Sequence, residues 1–148
     1  MDEYSTEYLI MHEDTIDWDE LSAKKDFSLS LVEVRLFRSK INWRKYLNTH
    51  RFMSTDALEI ASKYFTEENY RQIAAFNIAT DHFVKNHPDR FDFTLLLKST
   101  KLEESTILEL QEYWENIPDI FSIISESNYI DLESEEYANL SVMLEALN

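Results

Sequence analysis

Apolar and polar positions follow a pattern that returns about every 25 residues. Ile16-Asp17-Trp18-Asp19-Glu20-Leu21 is followed by Ile41-Asn42-Trp43-Arg44-Lys45-Tyr46, and later by Phe91-Asp92-Phe93-Thr94-Leu95-Leu96. Each block reads apolar, then Asp or Asn, then aromatic. Asp and Asn favour the helix N-cap, because the side-chain oxygen accepts an otherwise unsatisfied N–H of the first turn. An apolar residue before the cap packs on the fourth helical residue as a hydrophobic staple. The staple pairs are Ile16 with Leu21, Ile41 with Tyr46 and Phe91 with Leu96, all apolar. Phe65-Thr66 with Tyr70, and Pro118-Asp119 with Ile123, supply two more. The predicted caps Asp17, Asn42, Thr66, Asp92 and Asp119 are thus 25, 24, 26 and 27 residues apart. Ten residues beyond each stands a large apolar side chain: Phe27, Phe52, Phe76, Leu102 and Tyr129.

Each unit predicts two helices. The first is short, as in Trp43 to about Asn48, and a polar corner Asn48-Thr49-His50 follows. The second is longer, as in Thr55 to Phe65, where Ala57, Leu58, Ala61, Tyr64 and Phe65 recur at helical spacing. Ser54 or Thr55 is its expected cap. In the third unit Glu67 to Asn86 reads as a more continuous helix, ended by His87-Pro88-Asp89. Leu29 to Phe37 has strand-like composition, yet the same slot elsewhere is helical, so it is assigned to helix. Residues 1–15 form an irregular or short helical lead-in. A unit this small cannot bury its apolar face alone, and stacked neighbours supply the cover. The expected architecture is all-α: a single helical-repeat domain over 1–148, with units near 16–40, 41–64, 65–90, 91–117 and 118–148. They would form a short solenoid or compact helical array.

Composition narrows the chemistry. The 148 residues include no glycine, where about ten would be usual. Glycine-rich phosphate loops, dinucleotide fingerprints and nucleophile elbows are therefore excluded. There is no cysteine, hence no disulfide, thiol nucleophile or thiolate metal site. No apolar run is long enough to span a membrane. The acidic start Met1-Asp2-Glu3-Tyr4 is unlike a secretory signal, and a cytosolic location is expected.

The net charge of −15 is unevenly placed. Residues 1–23 carry eight acids and residues 102–148 twelve, both without Lys or Arg, whereas residues 24–101 carry nine acids and fourteen bases. So acidic a chain repels phosphate backbones, which argues against direct nucleic-acid binding.

The two blocks around Trp18 and Trp43 resemble a short repeat of bacteriophages and large DNA viruses, of the form [I/V]-[D/N]-W-x-x-[I/L]-S with a following Leu/Phe-Ser element. Phe27-Ser28 and Phe52-Met53-Ser54 match that element in part. The resemblance covers 16–65 well and 91–114 less closely. It implies a viral or phage accessory protein in the host cytosol, and it assigns no functional residues.

Local catalytic signals are thin. His82 and His87 lie near Asp81 and Asp89, but a spacing of five takes them off one helical face. The Glu pairs at 67–68, 103–104 and 135–136 are adjacent and do not face each other. His12, beside Glu13 and Asp14, lacks a nucleophile motif. No catalytic residue, metal ligand or cofactor is assigned. Tyr and Trp beside carboxylates instead suit a protein interface. The expected partner-binding residues are Glu103, Glu104, Glu109, Glu112, Tyr113, Trp114, Glu115, Asp131, Glu133, Glu135 and Glu136. Glu109, Glu112 and Glu115 are expected on one helical face, with Tyr113 and Trp114 anchoring its edge. The function expected is non-enzymatic inhibition of a host nucleic-acid enzyme or defence system. Carboxylates would stand in for phosphates against a host protein's basic nucleic-acid-binding surface, with no membrane involved. The alternative is a self-assembling scaffold, such as a homodimer, in which acidic ends meet the basic middle of a second copy.

Overall fold

A computed structural model describes residues 4–147 as twelve α-helices, with no β-strand among them. The protein is all-α. It divides into two compact units, Met1–Asn69 and Tyr70–Asn148.

The first unit holds α1 (Thr6–Met11), α2 (Trp18–Ser22), α3 (Leu31–Phe37), α4 (Trp43–Thr49), α5 (Thr55–Ala61) and the start of α6 (Glu67–Ala75). Asp17 (φ −79°, ψ 93°) and Asn42 (φ −82°, ψ 95°) cap α2 and α4 in nearly the same conformation. Each side chain accepts an N–H three residues on, from Glu20 and Lys45, at 3.1 Å. Thr66 and Asn69 make a reciprocal pair at the start of α6: Asn69 Oδ1 accepts the Thr66 N–H and Thr66 Oγ1 accepts the Asn69 N–H. The strand-prone stretch after Leu29 is helical as expected, because Ser30 and Glu33 close a capping box around its first turn. Ser54 caps α5.

The aromatic residue behind each cap is buried and tied back to the chain. Trp18 Nε1 donates to the Glu13 carbonyl at 2.9 Å and Trp43 Nε1 to that of Arg38 at 3.0 Å, five residues back in both cases. The Trp18 ring lies 5.2 Å from Phe37 and the Trp43 ring 5.5 Å from Phe65. Successive caps are also linked. The Ser22 hydroxyl accepts the Asn42 N–H at 3.0 Å, and Asn42 Nδ2 donates to Asp19 at 3.1 Å. Accordingly α2 packs on α4 and α3 on α5.

The second unit holds the rest of α6, α7 (Asp81–Asn86), α8 (Phe93–Ser99), α9 (Glu104–Glu109), α10 (Gln111–Trp114), α11 (Ile120–Ser125) and α12 (Ala138–Leu147). Asp92 (φ −83°, ψ 107°) caps α8 as Asp17 and Asn42 cap theirs. Phe83, Leu96, Trp114 and Leu140 are fully buried at its centre. Burying one such side chain stabilises by about 1.5–3 kcal/mol. Tyr70 meets Phe91 edge-on at 5.3 Å, and the Arg90 guanidinium covers the Tyr70 ring at 4.5 Å.

Two expectations are corrected. Glu67 to Asn86 is not one helix: α6 ends at Ala75 and Asn77 turns left-handed (φ 57°), a conformation Asn tolerates better than most residues. Asn77 Oδ1 then accepts the Lys101 N–H at 2.8 Å, and Thr80 caps α7. Asp119 is not a cap of the Asp17 type: it is left-handed (φ 59°) and its side chain caps nothing. The large apolar residue ten past the cap is not the buried one at two places. Phe52 is 83% exposed while Met53 is buried, and Tyr129 is exposed while Ile130 is buried. A one-residue shift brings the neighbouring side chain inward at both sites.

Asp17→Ala and Asp92→Ala are each expected to cost about 0.5–2 kcal/mol. Trp43→Ala, which removes a buried ring, is expected to cost about 3–5 kcal/mol. Urea melts measure both; a neutral Trp43→Ala variant would remove the ring from its structural role.

Candidate functional site

The acidic segment is built on two supports inside the second unit. Glu104 accepts hydrogen bonds from Asn139 Nδ2 and from the Leu140 N–H, both at 3.0 Å, which fastens α9 to α12. The buried Tyr137 hydroxyl donates to the Leu102 carbonyl at 2.8 Å, which fastens the start of α12 to the chain entering α9.

The expected site residues separate into groups. Glu103, Glu109, Glu112, Asp131, Glu133, Glu135 and Glu136 are exposed. Glu104 is half-buried and engaged as described, and Glu115 is half-buried and accepts from Gln111 Nε2 at 2.8 Å. Tyr113 is partly exposed and stacks on Phe93, with ring centres 5.6 Å apart. Trp114 is corrected: it has no exposed surface, and its Nε1 donates to the Ile107 carbonyl at 2.8 Å. It is a core residue and touches no partner.

The single acidic helical face is also corrected. α9 ends at Glu109, Leu110 leaves helical geometry (φ −100°, ψ 18°), and α10 starts anew at Gln111. This break lets Trp114 turn inward, so Glu109 and Glu112 do not share one helical stripe. Two acids of the segment meet bases from earlier in the chain: Lys85 lies 3.7 Å from Glu109, and Lys98 lies 3.4 Å from Glu126. Such exposed pairs contribute about 0–1 kcal/mol, but they lower the local negative charge.

Asp131 and Glu133, expected from their charge, line a hollow of about 490 Å³ between α11 and α12 with residues that sequence reasoning missed. Phe121, Ile130 and Leu132 give it apolar walls, and Asp131, Glu133 and Glu145 bring carboxylates to it. Asp131, Leu132 and Glu133 reach it together from a turn, in which Asp131 Oδ1 accepts the Glu133 N–H at 2.9 Å and the Asp131 carbonyl accepts the Ser134 N–H at 3.1 Å.

His82 is exposed, and the His87 ring packs 4.6 Å from Phe83. No group of three His, Asp or Glu among the described residues is arranged to hold a metal ion. No helix of the described residues is long and apolar enough to cross a membrane. No protein family matches the chain, and no curated protein or solved structure matches it.

Burial pushes the Tyr137 phenol above its usual value of 10.0, and the carboxylates of Glu136, Asp81, Glu104 and Glu103 act in the same direction. The folded state therefore holds the proton more tightly than the unfolded state. That contribution is full below pH 10.0 and is lost as the pH rises through the folded value. Tyr137→Phe is expected to cost about 1–3 kcal/mol, because the buried Leu102 carbonyl loses its donor. Melts taken from neutral to strongly alkaline pH should show a smaller alkaline loss in this variant than in the parent.

Proposed function

We propose that the protein is a non-enzymatic acidic accessory protein, of the phage or viral kind implied by the Trp18 and Trp43 blocks. In this reading it inhibits a host nucleic-acid enzyme or defence protein by occupying a basic nucleic-acid-binding surface. The observation that carries the reading is the segment 102–148, which holds twelve acids and no Lys or Arg. Most of its acids reach solvent, including Glu112, Asp131, Glu133, Glu135 and Glu136. Carboxylates so placed resemble a run of phosphates to a basic channel, and their field reaches about 8 Å at physiological salt.

Tandem helix pairs, stacked as a short solenoid or compact array, are the framework of the proposal. The shared conformation of Asp17, Asn42 and Asp92 supports it. Such a framework presents side chains along an extended surface.

Immobilised protein incubated with host lysate is expected to retain a nucleic-acid-binding protein at low salt, and to release it at high salt or on addition of duplex DNA. Reversal of Glu112, Glu133 and Glu136 to Lys is expected to weaken retention at least tenfold, with the melting temperature little changed because exposed substitutions move stability by about 0.5 kcal/mol each. Undiminished retention by the folded triple variant would refute the acidic surface as the binding site.

A further inference from the structure

The first unit carries an exposed apolar group on a basic background. Phe52 is 83% exposed, although its neighbour Met53 is buried. Leu31, which helps line a small hollow with Phe52, is also exposed, as are Val32 and Leu36 on the outer side of α3. Arg35 and Arg51 are exposed among them. Residues 24–51 hold eight bases and only two acids. One of those acids, Glu33, is buried in the capping box of α3.

The second unit carries the complementary feature. Its hollow of about 490 Å³ has apolar walls from Phe121, Ile130 and Leu132 and three carboxylates, Asp131, Glu133 and Glu145. The volume accommodates an aromatic ring, and the carboxylates suit a guanidinium beside it.

We infer that the occupant is a second copy of this chain, whose Arg51-Phe52 pair enters the hollow between α11 and α12. Charge points to this occupant: an exposed aromatic residue flanked by arginine meets a hollow in which three apolar side chains stand beside two serines and three carboxylates. The two surfaces are different parts of the chain, so the contact is head-to-tail, and each pair of copies leaves one Arg51-Phe52 and one hollow unused. One aromatic residue and one arginine make a small interface, hence a weak and concentration-dependent one. Salt weakens it further by screening the charges. The inference does not rest on the host-partner reading, because it concerns the purified chain alone.

Sedimentation and light scattering of the purified full chain test it. At low salt the average mass is expected to rise above 17.7 kDa between micromolar and millimolar concentration, and to fall back at high salt. Phe52→Ser should be monomeric under the same conditions, and so should the double variant Glu133→Lys with Glu145→Lys. Arg51→Glu, which keeps the ring, serves as an independent knob variant. Circular dichroism and melting temperature establish that each variant is folded. Phe52→Ser retains the hollow and the double variant retains the knob. Mixed in equal amounts, they should form a 1:1 dimer of about twice 17.7 kDa and grow no further. A parent chain that stays monomeric throughout overturns the inference and leaves the hollow to a foreign basic segment. Variants that assemble like the parent, or a mixture that stays monomeric, also overturn it.

Discussion

An Asx side chain at a helix start, with an aromatic residue directly behind it, is the interaction on which the first unit and the entry to α8 depend. The helices run from four residues in α10 to ten in α12. Isolated helices need about 12–15 residues to persist in water, so none of these is stable alone. The cap satisfies the first-turn N–H and sets the direction of the entering chain. The aromatic residue then fixes that direction by packing, and the tryptophans add an indole hydrogen bond five residues back. Removing the carboxylate leaves the ring without its approach angle; removing the ring leaves the cap exposed on a short, unsupported turn.

The absence of glycine makes this arrangement necessary. A chain with no glycine lacks the residue that most easily ends a helix in a left-handed turn. It uses Asn77 and Asp119 for that conformation, and starts each helix from α1 to α8 with a Ser, Thr, Asp or Asn cap. Termination is thereby transferred to the next initiation signal. This explains why the helices are short and why their starts were more legible than their ends.

The all-α class and the caps Asp17, Asn42, Thr66 and Asp92 were legible because capping is local and depends on one side chain and the N–H groups just beyond it. The assignment of Leu29–Phe37 to helix was legible from the repeat, against local propensity, and the Ser30–Glu33 box starts the observed helix at Leu31. The break at Phe76 was not legible, since it rests on Asn77 accepting an N–H from Lys101, a contact 24 residues away. The candidate site was legible in its charge and not in its shape. Charge is additive along a sequence, so the twelve acids after Lys101 could be counted directly. Which aromatic residue of Tyr113 and Trp114 turns inward depends on the helix break at Leu110, and that break carries no glycine or proline to announce it.

Phe52 and Trp114 illustrate the same physical rule from opposite sides. Both are large apolar residues beside charged ones; the sequence marked Phe52 only as a large apolar residue ten past a cap, and it placed Trp114 at an interface. The indole N–H of Trp114 finds a carbonyl at 2.8 Å, so the polar edge of the ring is satisfied without water and full burial is favourable. Phe52 has no such requirement, and the flexible Met53 is the residue buried at the corner before Ser54. The extended backbone there sends consecutive side chains to opposite sides, so burying Met53 obliges Phe52 to face solvent. Exposure of Phe52 is thus a consequence of how α4 joins α5. It places an aromatic ring on the only strongly basic stretch of a chain whose final third is wholly without base.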